Sequence, residues 1–144
     1  MNAKKFLIGT LVGGIAFFFL GYLIYGLALS SFFMKHSTAV AGSMRGMADI
    51  IWWALILGNF AMGALVTYVL LKAGKATSFG NAAGTAAAVG FFVALSTDLI
   101  HYATENGFDL TSMAVDVIVG LVMYAIAGGI IGAVLGMGGR TSSA

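Results

Sequence analysis

The chain has 144 residues, 60% of them hydrophobic and 8% charged, with a mean hydropathy of +1.02 and a formal net charge of +2. So few charged side chains cannot clothe a water-soluble domain of this length, so composition assigns residues 1–144 to one membrane-embedded domain and gives no footing for nucleic-acid binding. The absence of cysteine removes disulfides, thiolate metal sites and cysteine nucleophiles.

A transmembrane helix needs about 20 mainly apolar residues, and segments 5–29, 49–71, 79–103 and 113–137 meet that requirement. None alternates every second residue as barrel strands do. The expected fold class is therefore all-α, a four-transmembrane-helix bundle. The first segment follows Lys4 and Lys5 and ends near Ala28-Leu29-Ser30, which resembles a secretory signal. Its apolar run exceeds the roughly 7–15 residues of a signal core, so it reads as a retained span. Phe32, Phe33 and Met34 follow in SSFFMKHSTAVAGSMRGM and are expected to dip into the membrane interface.

The second segment opens with Asp49, in the place of a helix cap. Trp52 and Trp53 then suit an aromatic belt. Asn59 is central, with Gly63 one turn further on the same face, and the expectation is a hydrogen bond between helices. KAGKATS makes a tight connection to the alanine-rich third segment, where Gly80, Gly84 and Ala88 form a small-residue stripe. That segment ends in STDLIHYATENGFDLTS, with Asn106-Gly107 as a turn signal. The fourth segment carries Asp116, Gly120, Tyr124, Gly128, Gly132 and Gly136 on one i+4 stripe. With Gly9 and Gly13 in the first segment, these small residues predict close helix packing, within the chain or against a second copy or another membrane protein.

Positive charge sets orientation. With the N-terminus inside, the cytoplasmic side holds Lys4, Lys5, Lys72, Lys75 and Arg140, and the outer side only Lys35 and Arg45. This favours N-in, C-in, with the hairpin between the third and fourth segments outside.

That hairpin gathers four of the five acidic residues. Glu105 and Asp109 read as ordinary outer-loop residues. Asp98 and His101, three apart, share a helix face. Asp98 also shares a side with Gly84, Ala87 and Ala94, so it points into the bundle. It lies toward a helix C-terminus, where negative charge is unfavourable, so capping does not explain it. Asp116 begins the inward stripe of the fourth segment, although a carboxylate near a helix start also serves as a cap. Across a short turn Asp98 and Asp116 should face each other about 5–8 Å below the outer end. Asp49 starts on the same side, and His36 and Arg45 lie within reach in the outer loop.

Two buried carboxylates cannot both stay charged without a cation. Asp98 and Asp116 can share a proton, pair with His101 or Arg45 as a structural lock, or hold a divalent cation with Asp98, His101 and Asp116 as candidate ligands. Asn59, Tyr124 and Arg45 read as structural polar residues, and Tyr22, Tyr25 and Tyr68 as packing or interfacial aromatics.

The stretch STDLIHYATENGFDLTSMAVDVIVG resembles the signature half of a family of small bacterial four-helix membrane proteins, a domain of unknown function. The resemblance rests on Asp98-Leu99, Ala103-Thr104, a short turn, then Asp116 and Gly120, and covers about a sixth of the chain. FFFLGYLIYG and WWALILGN are similar to related proteins. Phe108 stands where the family tends to carry a tryptophan. The family has no assigned activity, so the resemblance implies only the fold and a place as a multi-pass protein of the bacterial cytoplasmic (inner) membrane. No phosphate loop, two-histidine motif or nucleophile triad is present, and neither Ser96 nor Ser112 has a partner spacing for catalysis. The expected function is a non-enzymatic accessory or binding component without a cofactor. The alternatives are a proton- or cation-coupled carrier using the outer Asp/His cluster, and a protein holding a lipid or small apolar ligand between helices.

Overall fold

A computed structural model describes residues 2–36, 45–105 and 109–137. The Asn106-Gly107 turn, Phe108 and Arg140 lie outside the described residues. Among the described residues the regular secondary structure is all helical, without strands. Helix α1 (Ala3–Gly21) continues into a π-helical segment, Tyr22–Ala28, and a short α2 (Ser30–His36) follows. After a 3-10 turn, Met47–Asp49, come α3 (Trp52–Lys72), α4 (Phe79–Thr104) and α5 (Leu110–Met137). Four helical stretches are long and apolar enough to cross a membrane: Ala3–Ala28, Trp52–Lys72, Phe79–Thr104 and Leu110–Met137.

Local chemistry fixes the ends of these helices. The Asn2 side chain accepts from the Lys5 backbone N–H at 3.2 Å, and Ser78 Oγ accepts from Asn81 N–H at 3.4 Å. Helix α3 stops in a Schellman motif: Lys75 N–H bonds to Leu70 O at 2.9 Å and Gly74 N–H to Leu71 O at 3.4 Å. Gly74 takes φ +65°, which costs glycine nothing. Helix α3 begins three residues after Asp49, with Ile51 at its cap and no capping side chain. Ile50 is extended and breaks the helix, so Asp49 is not the cap its position in the sequence suggests.

The long helices pack mainly as two antiparallel pairs, α1 with α3 and α4 with α5, and α1 lies against α5 between them. Half of the most apolar stretch of α5 is buried, against 17–22% for the other three, which makes α5 the centre of the core. Phe17 is fully buried and meets the Tyr124 ring edge-on at 4.8 Å between centroids.

The α4–α5 contact is a ladder of small residues. A Cβ added to Gly132 would collide with the Cβ of Ala82, and one added to Gly128 with that of Ala86. Gly90 lies against Tyr124 and Gly120 O, and a Cβ on Gly120 would sit 2.9 Å from that of Ala94. Each rung is four residues further along both helices. The α4 face in contact is therefore Ala82, Ala86, Gly90 and Ala94. A Cβ added at Gly80 or Gly84, expected on the packing face, would meet nothing within 4 Å among the described residues, and Gly84 and Ala88 are exposed. The reason is register: the tight α3–α4 turn and the bulk of Tyr124 set α4 so that Gly90, not Gly84, takes the close approach.

Candidate functional site: a buried carboxyl pair

The next rung of the same ladder is Asp98 opposite Asp116. Asp98 lies six residues from the last residue of α4 and Asp116 six from the first of α5, about 9 Å from each helix end at 1.5 Å per residue. The two carboxyls are neighbours within electrostatic reach. Asp98 is 5% exposed, and its Oδ2 has no hydrogen-bond partner among the described residues. Asp116 is half-buried and accepts a hydrogen bond at Oδ1 from the Tyr25 hydroxyl at 2.7 Å. The site is therefore built from three helices, with Tyr25 delivered by the π-helical end of the first span.

The lock expected from Arg45 is not made. Arg45 is exposed and its Nη1 donates to the backbone carbonyl of Asp49 at 3.5 Å, so this pair stays on its own turn. His101 lies within electrostatic reach of Asp98, but its Nδ1 pairs with Glu105 Oε1 at 3.2 Å, one turn on toward the helix end. Glu105 is thus more than a loop residue. Among the described residues no group of three or more histidine, aspartate and glutamate side chains is placed to hold a metal ion.

Capping does not account for Asp116 either. Helix α5 starts at Leu110, three residues before the expected start, because Asp109 caps it: its Oδ1 accepts from Ser112 N–H at 2.6 Å. Asp109 Oδ2 also meets His36 Nδ1 at 3.0 Å, tying α2 to the start of α5. The Ser112 backbone N–H and then His36 hold the Asp109 carboxyl below its ordinary range. His36, expected near the buried pair, is thereby used at the surface. Ser112 is 1% exposed, and its hydroxyl donates to the Asp109 carbonyl at 2.9 Å.

Asn59 does not bridge helices. Its side-chain amide donates to the Leu55 carbonyl of its own helix at 2.8 Å, and the N-terminal end of α3, residues 51–58, is exposed. Asn59 borders a crevice of about 280 Å³ between α1 and α3, lined also by Gly14, Ile15, Phe18, Phe19, Ile56 and Phe60. Trp52 and Trp53 are exposed. Tyr124 lies at the centre of the core, in contact with Phe17 and Gly90.

Tyr25 is the site residue that sequence reasoning placed elsewhere. Its ring also lies 5.5 Å from that of Phe33, so α2 supports it from the surface side. No spacing in FFFLGYLIYG signals the change to π winding that directs it at α5. No family model, curated protein or solved structure matches the chain.

Proposed function

We propose that the chain is a multi-pass protein of the bacterial cytoplasmic membrane, a four-helix bundle with both termini inside, that binds a proton or small cation at the Asp98–Asp116 pair and exchanges it with the outer side. The observation that carries this reading is the Asp98 carboxyl: 5% exposed, beside a second carboxyl, with one oxygen unpartnered. Two carboxylates at close range in a low-dielectric interior repel strongly, and a proton or cation between them removes the conflict. Among the described residues, the ion pairs use Asp109 and Glu105 rather than either member of this pair. Ionisable groups within membrane spans commonly mark ion or proton pathways. Orientation follows from the five-to-two bias of positive charge, and the bacterial membrane from the resemblance of the α4–α5 hairpin to the small four-helix family.

The test is flux. Purified protein is reconstituted into vesicles containing a pH-sensitive dye, and a pH step is applied with sodium or choline as the bulk cation. Proton entry should exceed that of empty vesicles, and Asp98→Asn should abolish the excess. Sodium dependence of the signal would identify a metal cation as co-substrate. An Asp98→Asn protein that is altered in stability but not in flux would rule the carrier out.

A second reading, a non-enzymatic accessory component, is favoured by the open stripe of α4. A Cβ added at Gly80 or Gly84 would meet nothing within 4 Å among the described residues, and such a surface suits a second copy of the chain in the bilayer. Cross-linking in native membranes tests it, and a strictly monomeric protein would count against it. The crevice beside Asn59 supports a lipid chain as a structural ligand, which native mass spectrometry would detect.

A further inference from the structure

The Asp98–Asp116 pair is not symmetrical, and the asymmetry comes from the first span. In an unbroken α-helix Tyr25, eight residues beyond Phe17, would lie about 80° around the axis from it. Phe17 faces α5, through its contact with Tyr124. The π-helical segment Tyr22–Ala28 changes this, with Leu29 N–H bonding to Ile24 O at 2.7 Å in the i→i+5 pattern. Wider π turns take more residues per turn and so recover much of the 80°. Tyr25 therefore returns to the α5 side, where its hydroxyl donates to Asp116 Oδ1 at 2.7 Å. Phe33 buttresses the ring from α2. Asp98, on the opposite helix, has an Oδ2 that is buried and receives no such donor. Tyr25 also lies within electrostatic reach of Asp98 and Tyr124, and His101 faces Asp98 from within α4.

We propose that Tyr25 is a specificity-determining member of the site: by occupying Asp116 Oδ1 it directs the incoming proton or cation to Asp98 Oδ2. The assignment rests on reading the carboxyl pair as a proton or cation site. It adds the rule by which two chemically identical carboxyls take different parts. Asp116 is held by a fixed donor and serves as the standing neighbour. Asp98 presents the open acceptor and is the group that loads and unloads. The π segment is the device that sets this difference, since α winding would swing the hydroxyl off Asp116.

The experiment compares Asp98→Asn and Asp116→Asn in two backgrounds, the unmodified chain and Tyr25→Phe, using the vesicle assay with protons as the probe. In the unmodified chain Asp98→Asn should reduce flux about tenfold more than Asp116→Asn, the factor a hydrogen bond to a charged group supplies. In the Tyr25→Phe background either carboxyl can load, and the two losses should become equal. A tenfold preference that persists without the hydroxyl would overturn the role of Tyr25 and leave the site standing. If neither asparagine variant alters flux in either background, the site reading fails and the assignment falls with it. Tyr25→Phe keeps the ring against Phe33, and helical circular dichroism checks its fold. Deleting Gly26 gives an independent route. It removes one residue from the π segment, retains Tyr25, and should equalise the two losses in the same way. If the preference for Asp98 survives that deletion in a folded protein, π winding does not set it.

Discussion

Gly63 offers the sharpest test of how the helices fit. It lies where α3 crosses α1, and a Cβ placed on it would sit 2.5 Å from Gly14 N, 2.8 Å from Thr10 O and 2.9 Å from Gly13 C. All three atoms are backbone, so no side-chain rotation relieves the clash. Restoring an ordinary separation of about 3.5 Å requires the helices to part locally by about 1 Å, enough for neighbouring contacts to lose a quarter to a half of their attraction. Overpacking of this kind costs about 1–3 kcal/mol, and alanine's better helix propensity returns up to about 1 kcal/mol. With that return in full, Gly63→Ala is expected to destabilise the protein by up to about 2 kcal/mol. Gly84→Ala is the matched control: a Cβ added there would meet nothing within 4 Å among the described residues, so the same substitution should be neutral or stabilise by up to about 1 kcal/mol. Unfolding in mixed micelles with increasing SDS, followed by circular dichroism and by the fluorescence of Trp52 and Trp53, measures both. Equal stability of the two variants would mean that α1 and α3 do not cross as closely as described.

Two further outcomes follow from the surface and from the N-terminal half of α3. The Asp109 carboxyl lies below its ordinary value of 3.8, held first by the Ser112 backbone N–H and then by His36. A group depressed on folding contributes stability above its unfolded value and loses it as pH falls through the folded value. The thermal midpoint should accordingly drop as pH is lowered below about 3.8, and Asp109→Ala should remove that part of the acid dependence while lowering the midpoint near neutrality. An unchanged acid profile in the variant would contradict the cap. Asn59→Leu should leave stability within about 0.5 kcal/mol, because the amide bonds only to Leu55 O of its own helix. A loss above about 2 kcal/mol in the same SDS titration would show that Asn59 bridges helices after all.

The apolar runs disclosed the long helices because a span needs length and hydropathy, and both are linear properties of the sequence. The approach of Asp98 to Asp116 was also legible. A short turn makes the helices antiparallel, and once Ala94 meets Gly120, stepping four residues along each puts the two carboxyls together. The placing of Gly84 was not legible. Two small-residue stripes, through Gly84 and through Gly90, compete for one contact, and Tyr124 on α5 decides between them. Caps failed for a similar reason. Asp109 and Asp116 are both plausible starts, and the choice depends on where the backbone leaves the turn. Tyr25 was least accessible, since no proline or charge marks the π segment and its partner stands 91 positions away.

The pairing of the helices bears on how the protein is made. Helices α1 and α3 are consecutive long helices, as are α4 and α5, so each hairpin can satisfy most of its contacts with chain that has just entered the membrane. The α1–α5 seam joins helices far apart in the sequence and must wait until α5 has been made. Tyr25 reaches Asp116 across that seam, whereas Asp98 and Asp116 meet within the second hairpin. The Tyr25–Asp116 hydrogen bond therefore depends on the α1–α5 seam, whereas the acidic pair needs the second hairpin alone.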